Sequence, residues 1–592
     1  MSLAEETTAV QIKVYKYISL GMIKTATFIA SKLYYATGKS SAAKLIYLHC
    51  LLLSGEAKRA NSFFQLRNGE NIDSFNKLDR IFFLRSVFSQ QEWKQPSNSE
   101  KDSTLESFLA RKLEDRGNSR DQQQGNLFQV RLDNFPLIQM EENSPEVEAT
   151  YCYLQGKAAL QLLRKEEAAQ LFQKALEYDC CCVEAILALS ESELLTEAEK
   201  KKLIFNTHLF RNESWLQLFY AALLNCSLLV FHQLVSSIQN VSTGDKDSKQ
   251  LYLFVDAMPS VLEHCHSSFF CKENLKNLAS DTDFLMMIAG FLYSQKRYSQ
   301  CCQVLDKILN QDKYFLSVYI WKSACLYALG KANELFRLAH WLVREFPESE
   351  VSWYAVGCYY LSCKQFFQAR QYFQKATSLR PSWSLSWIAL GHTFAFQDES
   401  DQALAAYRTV YRLSSNCFDS VLFMAVEYLR QNNYSQAQRL LEQALNITAT
   451  EPQPFHELGV LYYRQENFSC AIDCFQRSLQ LAKEMIGEIP HAFAELSGYF
   501  CILTASLLGL GHCYRRQGLY SKALDTLEEA LAIEPQDPSI CSAIGLTYHS
   551  QCKYENAIEM YHRCIAIRGS DRLVESLLEL SLKSLASSCP YN

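Results

Sequence analysis

The chain has 592 residues, of which 20 are glycine and 12 proline, about 5% together against roughly 12% in average proteins. So few turn residues exclude a sandwich, barrel or propeller of this length, while 48% hydrophobic and 21% charged residues supply a packed core and exclude global disorder. A formal charge of -6 without any block of Lys or Arg gives no attraction for phosphate backbones, so no nucleic acid is expected as a partner.

Taken from the N-terminus, Met1 to Val10 lacks a basic stretch leading into an apolar one and does not read as a secretory signal. Residues 1–93 read as degenerate helical repeats, marked by Ala26 with Ala30 and by Ala60 with Phe64. The apolar run Leu45 to Leu53 exceeds what one helix pair buries, which makes this block the candidate for self-association. Residues 94–146 are polar, with Ser-Asn-Ser-Glu-Lys-Asp-Ser and Asp-Gln-Gln-Gln runs, and are expected to form a disordered loop. Residues 147–282 read as further degenerate repeats, with one clear unit at Gly156, Ala168, Phe172 and Ala175. Within them Leu218 to Val235 is the most apolar segment, but Asn225, His232 and Gln233 interrupt it, so no membrane span is expected and the chain reads as soluble and intracellular.

Residues 283–570 carry a regular period of 34, the tetratricopeptide spacing. Small residues recur at Ala289, Ser323, Gly357, Gly391, Ala425 and Gly459. Large ones precede them at Leu285, Tyr319, Trp353, Trp387, Val421 and Phe455, and alanine-like positions follow from Cys301 to Ala471. Each unit is then two antiparallel helices: the small residue lets the second helix approach the first, and stacking buries what one pair cannot. An 18-residue insertion near 484–498 shifts the next units to Gly511 and Gly545. Residues 571–592 read as a capping helix and tail. The predicted fold class is an all-α tetratricopeptide-repeat superhelix.

No phosphate loop, dinucleotide-binding turn or zinc-protease helix occurs, so neither catalysis nor a cofactor is expected. The 22 cysteines occupy apolar helical positions such as Cys325, Cys358, Cys513 and Cys541 and read as buried free thiols. His264-Cys265-His266 with Cys271 lacks a second knuckle, so no metal is expected. Binding is the better reading. Register places Tyr354, His392, His456 and His512 on the inner face of the first helices, with Glu427, Tyr463, Arg515 and His549 beside them. Mixed aromatic and polar side chains suit an extended peptide, which needs backbone partners and a few apolar pockets.

Lys331-Ala-Asn-Glu-Leu-Phe336, Val351-Ser-Trp-Tyr-Ala-Val-Gly-Cys-Tyr-Tyr-Leu361, Trp387-Ile-Ala-Leu-Gly-His-Thr-Phe-Ala395 and Asp401-Gln-Ala-Leu-Ala-Ala-Tyr407 closely resemble the cell division cycle protein sixteen family. Those proteins are tetratricopeptide subunits of the anaphase-promoting complex. The resemblance is tight from about Asp283 to Arg568 and loose before Asp283. It implies a non-catalytic scaffold of a cullin–RING ubiquitin ligase controlling mitosis, found in nucleus and cytoplasm. It also implies a homodimer joined through N-terminal repeats, contacts with other tetratricopeptide subunits, and a groove that holds an extended segment of a small accessory subunit. The alternative is a tetratricopeptide adaptor of transport or chaperone complexes.

Overall fold

The computed structural model describes residues 3–37, 41–56, 59–60, 145–161, 164–192, 194–206, 209–210, 214–224, 281–294, 296–414, 416–448, 450–486, 499–569 and 571–588. These contain 25 α-helices and no β-strand. Of the loop expected at 94–146, residues 94–144 lie outside them while residues 145 and 146 open the helix Pro145–Gln161; the segment 225–280 with its His-Cys-His cluster, most of the insertion and the stretch 589–592 also lie outside. Two compact units are present, one formed by residues 1–34 and 40–148, the other by residues 35–39 and 149–592.

In the first unit, helices Leu3–Ser19, Ile23–Ala36 and Ser41–Leu53 bury Val14, Tyr17, Ala26 and Ala30. Lys16 pairs with Glu146 at 3.2 Å. Most of the run expected to present an apolar surface is turned inward: Ile46, Tyr47, Leu48, Cys50 and Leu51 are buried, while Leu53 is 42% exposed.

The second unit carries the array. First helices begin at Thr282, Leu316, Glu350, Ser384 and Phe418, each one repeat period after the last, and continue at Gln453, Tyr499 and Pro538. A second helix follows each, making eight pairs from Thr282 to Arg568. The register is set by close approach. A Cβ added to Gly357 would lie 2.5 Å from the Phe373 ring, and one added to Gly459 would lie 2.7 Å from Phe475, so in these units the ring of the second helix rests on bare backbone of the first. Upstream of the array, Gly156 meets Phe172 in the same way. Trp353 and Trp387 brace the join between units by donating their indole N–H to the carbonyls of Pro347 and Pro381, both at 2.9 Å.

The turn inside each pair is equally periodic. Lys296, Gly330, Lys364, Asp398, Asn432, Glu466, Gly518 and Cys552 all have φ between +55° and +78°, the left-handed cap that ends the first helix. Beyond it the Gln365 N–H reaches back to the Tyr360 carbonyl at 2.9 Å, a bond repeated at Asn433 to Tyr428 and Asn467 to Tyr462. Six of the eight positions lack glycine, so they carry local strain that the stacked helices hold in place.

The insertion lengthens both helices around it. Phe468–Ile486 has 19 residues where the second helix of a regular unit has 14, and Tyr499–Arg516 has 18 where the first helix has 13. The last helix, Arg572–Ser588, begins one repeat period after Pro538 and so occupies the place of a ninth first helix, which is how it caps the stack. The array also curls back on the upstream part of its own unit. Lys165 Nζ donates to the Arg412 carbonyl at 2.7 Å, and Asn416 Nδ2 to the Leu194 carbonyl at 3.2 Å.

Two substitutions read these constraints in opposite directions. Gly357→Leu forces the Phe373 ring off the backbone and is expected to cost about 1–3 kcal/mol, whereas Glu466→Gly removes left-handed strain at an exposed site and is expected to add about 1 kcal/mol. Chemical denaturation of the two variants checks both signs.

Candidate functional site

The inner face is assembled from the first helices, and curvature brings distant units together across it. Lys296, in the turn of the first pair, holds its ammonium 4.6 Å above the ring of Tyr499, which begins the seventh pair. Tyr499 Oη donates to Glu451 Oε1 at 3.5 Å. Asp419 belongs to the same cluster; it is open to water yet surrounded by groove wall, and that enclosure pushes its carboxyl above the usual range while Lys296 pulls it back. Enclosure likewise lowers the Lys296 ammonium and raises Glu451, each partly offset by the other's charge. No spacing in the sequence pairs residue 296 with residue 499. Only the superhelical turn does.

The residues placed here by register prove more enclosed than a solvated groove would leave them. Tyr354 is only 8% exposed and packs on Trp383 and Phe373, with ring centroids 5.1 and 5.7 Å away. His392 Nδ1 meets Tyr407 Oη at 2.9 Å, and its ring lies edge-on to Phe423 at 4.5 Å. His456 Nδ1 meets Ser506 Oγ at 3.0 Å, and its ring packs against Phe475. Ser506 in turn contacts Ser478, which donates to the Pro452 carbonyl at 2.9 Å. His456 therefore belongs to the packing that aligns three helices. A His456→Ala change removes stability as well as groove surface.

Glu427 is also displaced from its expected place. It is 2% exposed, two positions beyond Ala425 where other units bury Thr393, Leu461 or Cys513, and it pairs with Arg430 at 3.2 Å. The carboxylate that does line the groove is Glu457, which register did not single out. Burial lifts its carboxyl to about 7, against the pull of Arg464 and Arg430. Those arginines also tie consecutive units together, Arg430 donating to the Ala395 carbonyl at 2.8 Å and Arg464 to that of Leu429 at 2.6 Å. Each thereby places a cation at the C-terminal end of the preceding first helix, where the helix dipole favours it.

At the far end Tyr463 sits between Phe468 and His512, with centroids 5.7 and 6.5 Å away. Arg515 lies one turn beyond Gly511, and its charge adds to burial in holding His512 down at about 4. His549 Nδ1 meets Ser581 Oγ of the capping helix at 2.8 Å, so this residue joins cap to array.

Other donor groups are structural. The described cysteines are free thiols, and burial pushes Cys358 and Cys513 up to about 12. Asp179, Cys180 and Cys181 bring three metal-type donor atoms within 4.8 Å of one another. The Asp179 carboxylate accepts the Cys181 N–H at 3.0 Å, as Asp312 accepts that of Tyr314 at 3.1 Å, so a helix-end turn accounts for it. Among the described residues no helix is long and apolar enough to cross a membrane.

Comparison with known proteins agrees with this architecture. Tetratricopeptide repeat profiles match residues 351–382 and 540–575, and a TPR repeat profile matches 511–551. The chain is 28% identical over 98% of its length to Anaphase-promoting complex subunit 6 of Arabidopsis thaliana, of which it covers 97%. It is 26% identical over 96% of its length to Cell division cycle protein 16 homolog of Mus musculus, of which it covers 82%. It superposes with a TM-score of 0.57, at 23% identity and over 97% of this chain and 96% of the other, on a chain from the crystal structure of the APC/C hetero-tetramer Cut9-Hcn1, which shows a shared fold. The chain is thus similar to the tetratricopeptide subunits of the anaphase-promoting complex in the cell division cycle protein sixteen family. The similarity to this family reaches across the part before Asp283 too, where the residues alone resemble it only loosely.

The enclosed groups make stability depend on pH. Burial holds His392, His456 and His512 at about 4, below the ordinary 6.5, so their stabilisation is complete above 6.5 and is lost as pH falls toward 4. Glu457 acts oppositely: raised from 4.5 to about 7, it contributes below 4.5 and loses that contribution as pH rises through 7. Glu457 opposes the histidines across this range, so Glu457→Gln is expected to make the melting temperature fall more steeply between pH 6.5 and 4.5 than it does in the wild type. Thermal melts of wild type and variant across this range check it.

Proposed function

We propose that this chain is a non-catalytic scaffold subunit of an anaphase-promoting complex, a cullin–RING ubiquitin ligase that controls mitotic progression, and that it acts in nucleus and cytoplasm. The similarity to Anaphase-promoting complex subunit 6 over 97% of that protein carries this reading. Eight stacked helix pairs offer a long inner face for partner segments. The groove is proposed to hold an extended segment of a small accessory subunit. It fits that role because it mixes rings such as Tyr463 with charged groups such as Glu457 and Arg515, and because the fold neighbour is named as a Cut9-Hcn1 complex. Other tetratricopeptide subunits would lie against the outer surfaces, and two copies would pair through the N-terminal repeats.

A ligand that binds only the folded stack raises its stability by about 2.7 kcal/mol at a hundredfold excess over its dissociation constant. Affinity purification of the tagged chain is expected to recover cullin and RING chains with a small subunit, and co-expression of that subunit to raise the melting temperature. Recovery of coat or chaperone proteins instead would overturn the proposal. Sedimentation of the chain is expected to report a dimer that dissociates when residues 1–90 are removed.

A further inference from the structure

Three consecutive first helices carry an aromatic residue four positions before the small one: Tyr319, Trp353 and Trp387. In the first two units the chain covers that ring itself. Tyr319 packs on Trp341 with centroids 5.1 Å apart, and Lys313 Nζ stands 5.1 Å from the Trp341 ring. Trp353 lies parallel to Tyr372 at 5.9 Å, Tyr372 lies parallel to Tyr360 at 5.2 Å, and Lys375 Nζ is 3.2 Å from the centre of the Trp353 ring. Tyr372 is thus the middle one of three stacked rings, with a cation beside it.

The next unit keeps the outer two rings and omits the rest. One period on, Trp387 and Phe394 take the places of Trp353 and Tyr360, but Ala406 stands for Tyr372 and Thr409 for Lys375. Both indoles are held alike, each donating its N–H to a proline carbonyl at 2.9 Å. A cleft of about 630 Å³ opens there between the second helices Phe366–Leu379 and Ser400–Leu413, floored by Trp387, Leu390 and Phe394 and walled by Ala405, Ala406 and Thr409. Arg370 holds its guanidinium 4.6 Å from the Phe394 ring without lining the cleft. Trp387 and Thr409 are half-buried and Ala405 is exposed, so a side chain can enter from the surface.

We propose that this cleft docks a helix of a partner protein, which inserts an aromatic side chain between Trp387 and Phe394 and lays a lysine or arginine over Trp387. This deepens the reading that partner subunits lie against the outer surfaces and rests on it. The preceding unit specifies the occupant, because Tyr372 and Lys375 fill the same place from within the chain. A helix supplies both groups from positions three or four apart, as those two residues do. An aromatic anchor seated in a preformed pocket is the form that interface hot spots take.

The test uses the full chain and a fluorescent library of twelve-residue helical peptides randomised along one face. Peptides selected on the wild type are expected to carry Phe, Tyr or Trp with Lys or Arg three or four positions away. Ala406→Tyr combined with Thr409→Lys copies the covering residues of the preceding unit and fills the cleft from within. This double variant is expected to hold its melting temperature and to weaken the selected peptides about tenfold or more, the scale of losing one interface anchor. Trp387→Leu, which gives this position the residue type of Leu285, is expected to weaken them as much by removing one wall, and it decides the matter should the double variant melt early. Failure of the library to bind, selection without an aromatic anchor, or binding to either folded variant as tight as to wild type would overturn the cleft, while cullin and RING chains recovered with the tagged chain would keep the outer-surface reading. Aromatic and basic peptides that lose binding in the variants, from a chain that recovers neither cullin nor RING chains, would keep the cleft and overturn that reading.

Discussion

The contact on which the array depends is an aromatic or leucine side chain from a second helix lying flat on backbone that has no Cβ. At Gly357, Gly391, Gly459 and Gly545 the ring comes so close that even a Cβ would not fit, and Leu527 does the same at Gly511, so in five of the eight pairs this contact sets how near the two helices lie. Equal pairs stack with equal rotation, and a superhelix with an inner face is the geometric result. The left-handed turn that ends each first helix serves the same end. It reverses the chain sharply at a fixed angle, and it does so even where Lys364, Glu466 or Cys552 makes it strained.

Curvature has a chemical consequence. As first helices converge, side chains that a flat stack would leave in water become crowded by those of other units. The histidines lose their protons to well below the ordinary range, Glu457 keeps one to near neutrality, and Lys296 is matched to an aromatic ring and two carboxylates from distant units. Crowding also commits polar groove groups to folding. His392, His456 and His549 spend their hydrogen bonds on Tyr407, Ser506 and Ser581, all within the chain.

The sequence by itself determined the helical class, the repeat register, the number of regular pairs and the residues at each close contact, because these follow from side-chain volume at fixed spacing along the chain. It also named Tyr354, His392, His456 and His512 as inner-face candidates, since a helix turns by a known angle per residue. What it could not assign was which of those side chains are free. Glu427 reads as a groove residue, yet it sits in the core, 2% exposed and paired with Arg430. Tertiary structure alone decided that Lys296 meets Tyr499 and that Asn416 meets Leu194, since the pitch of a superhelix accumulates small rotations over many pairs and no local spacing encodes it.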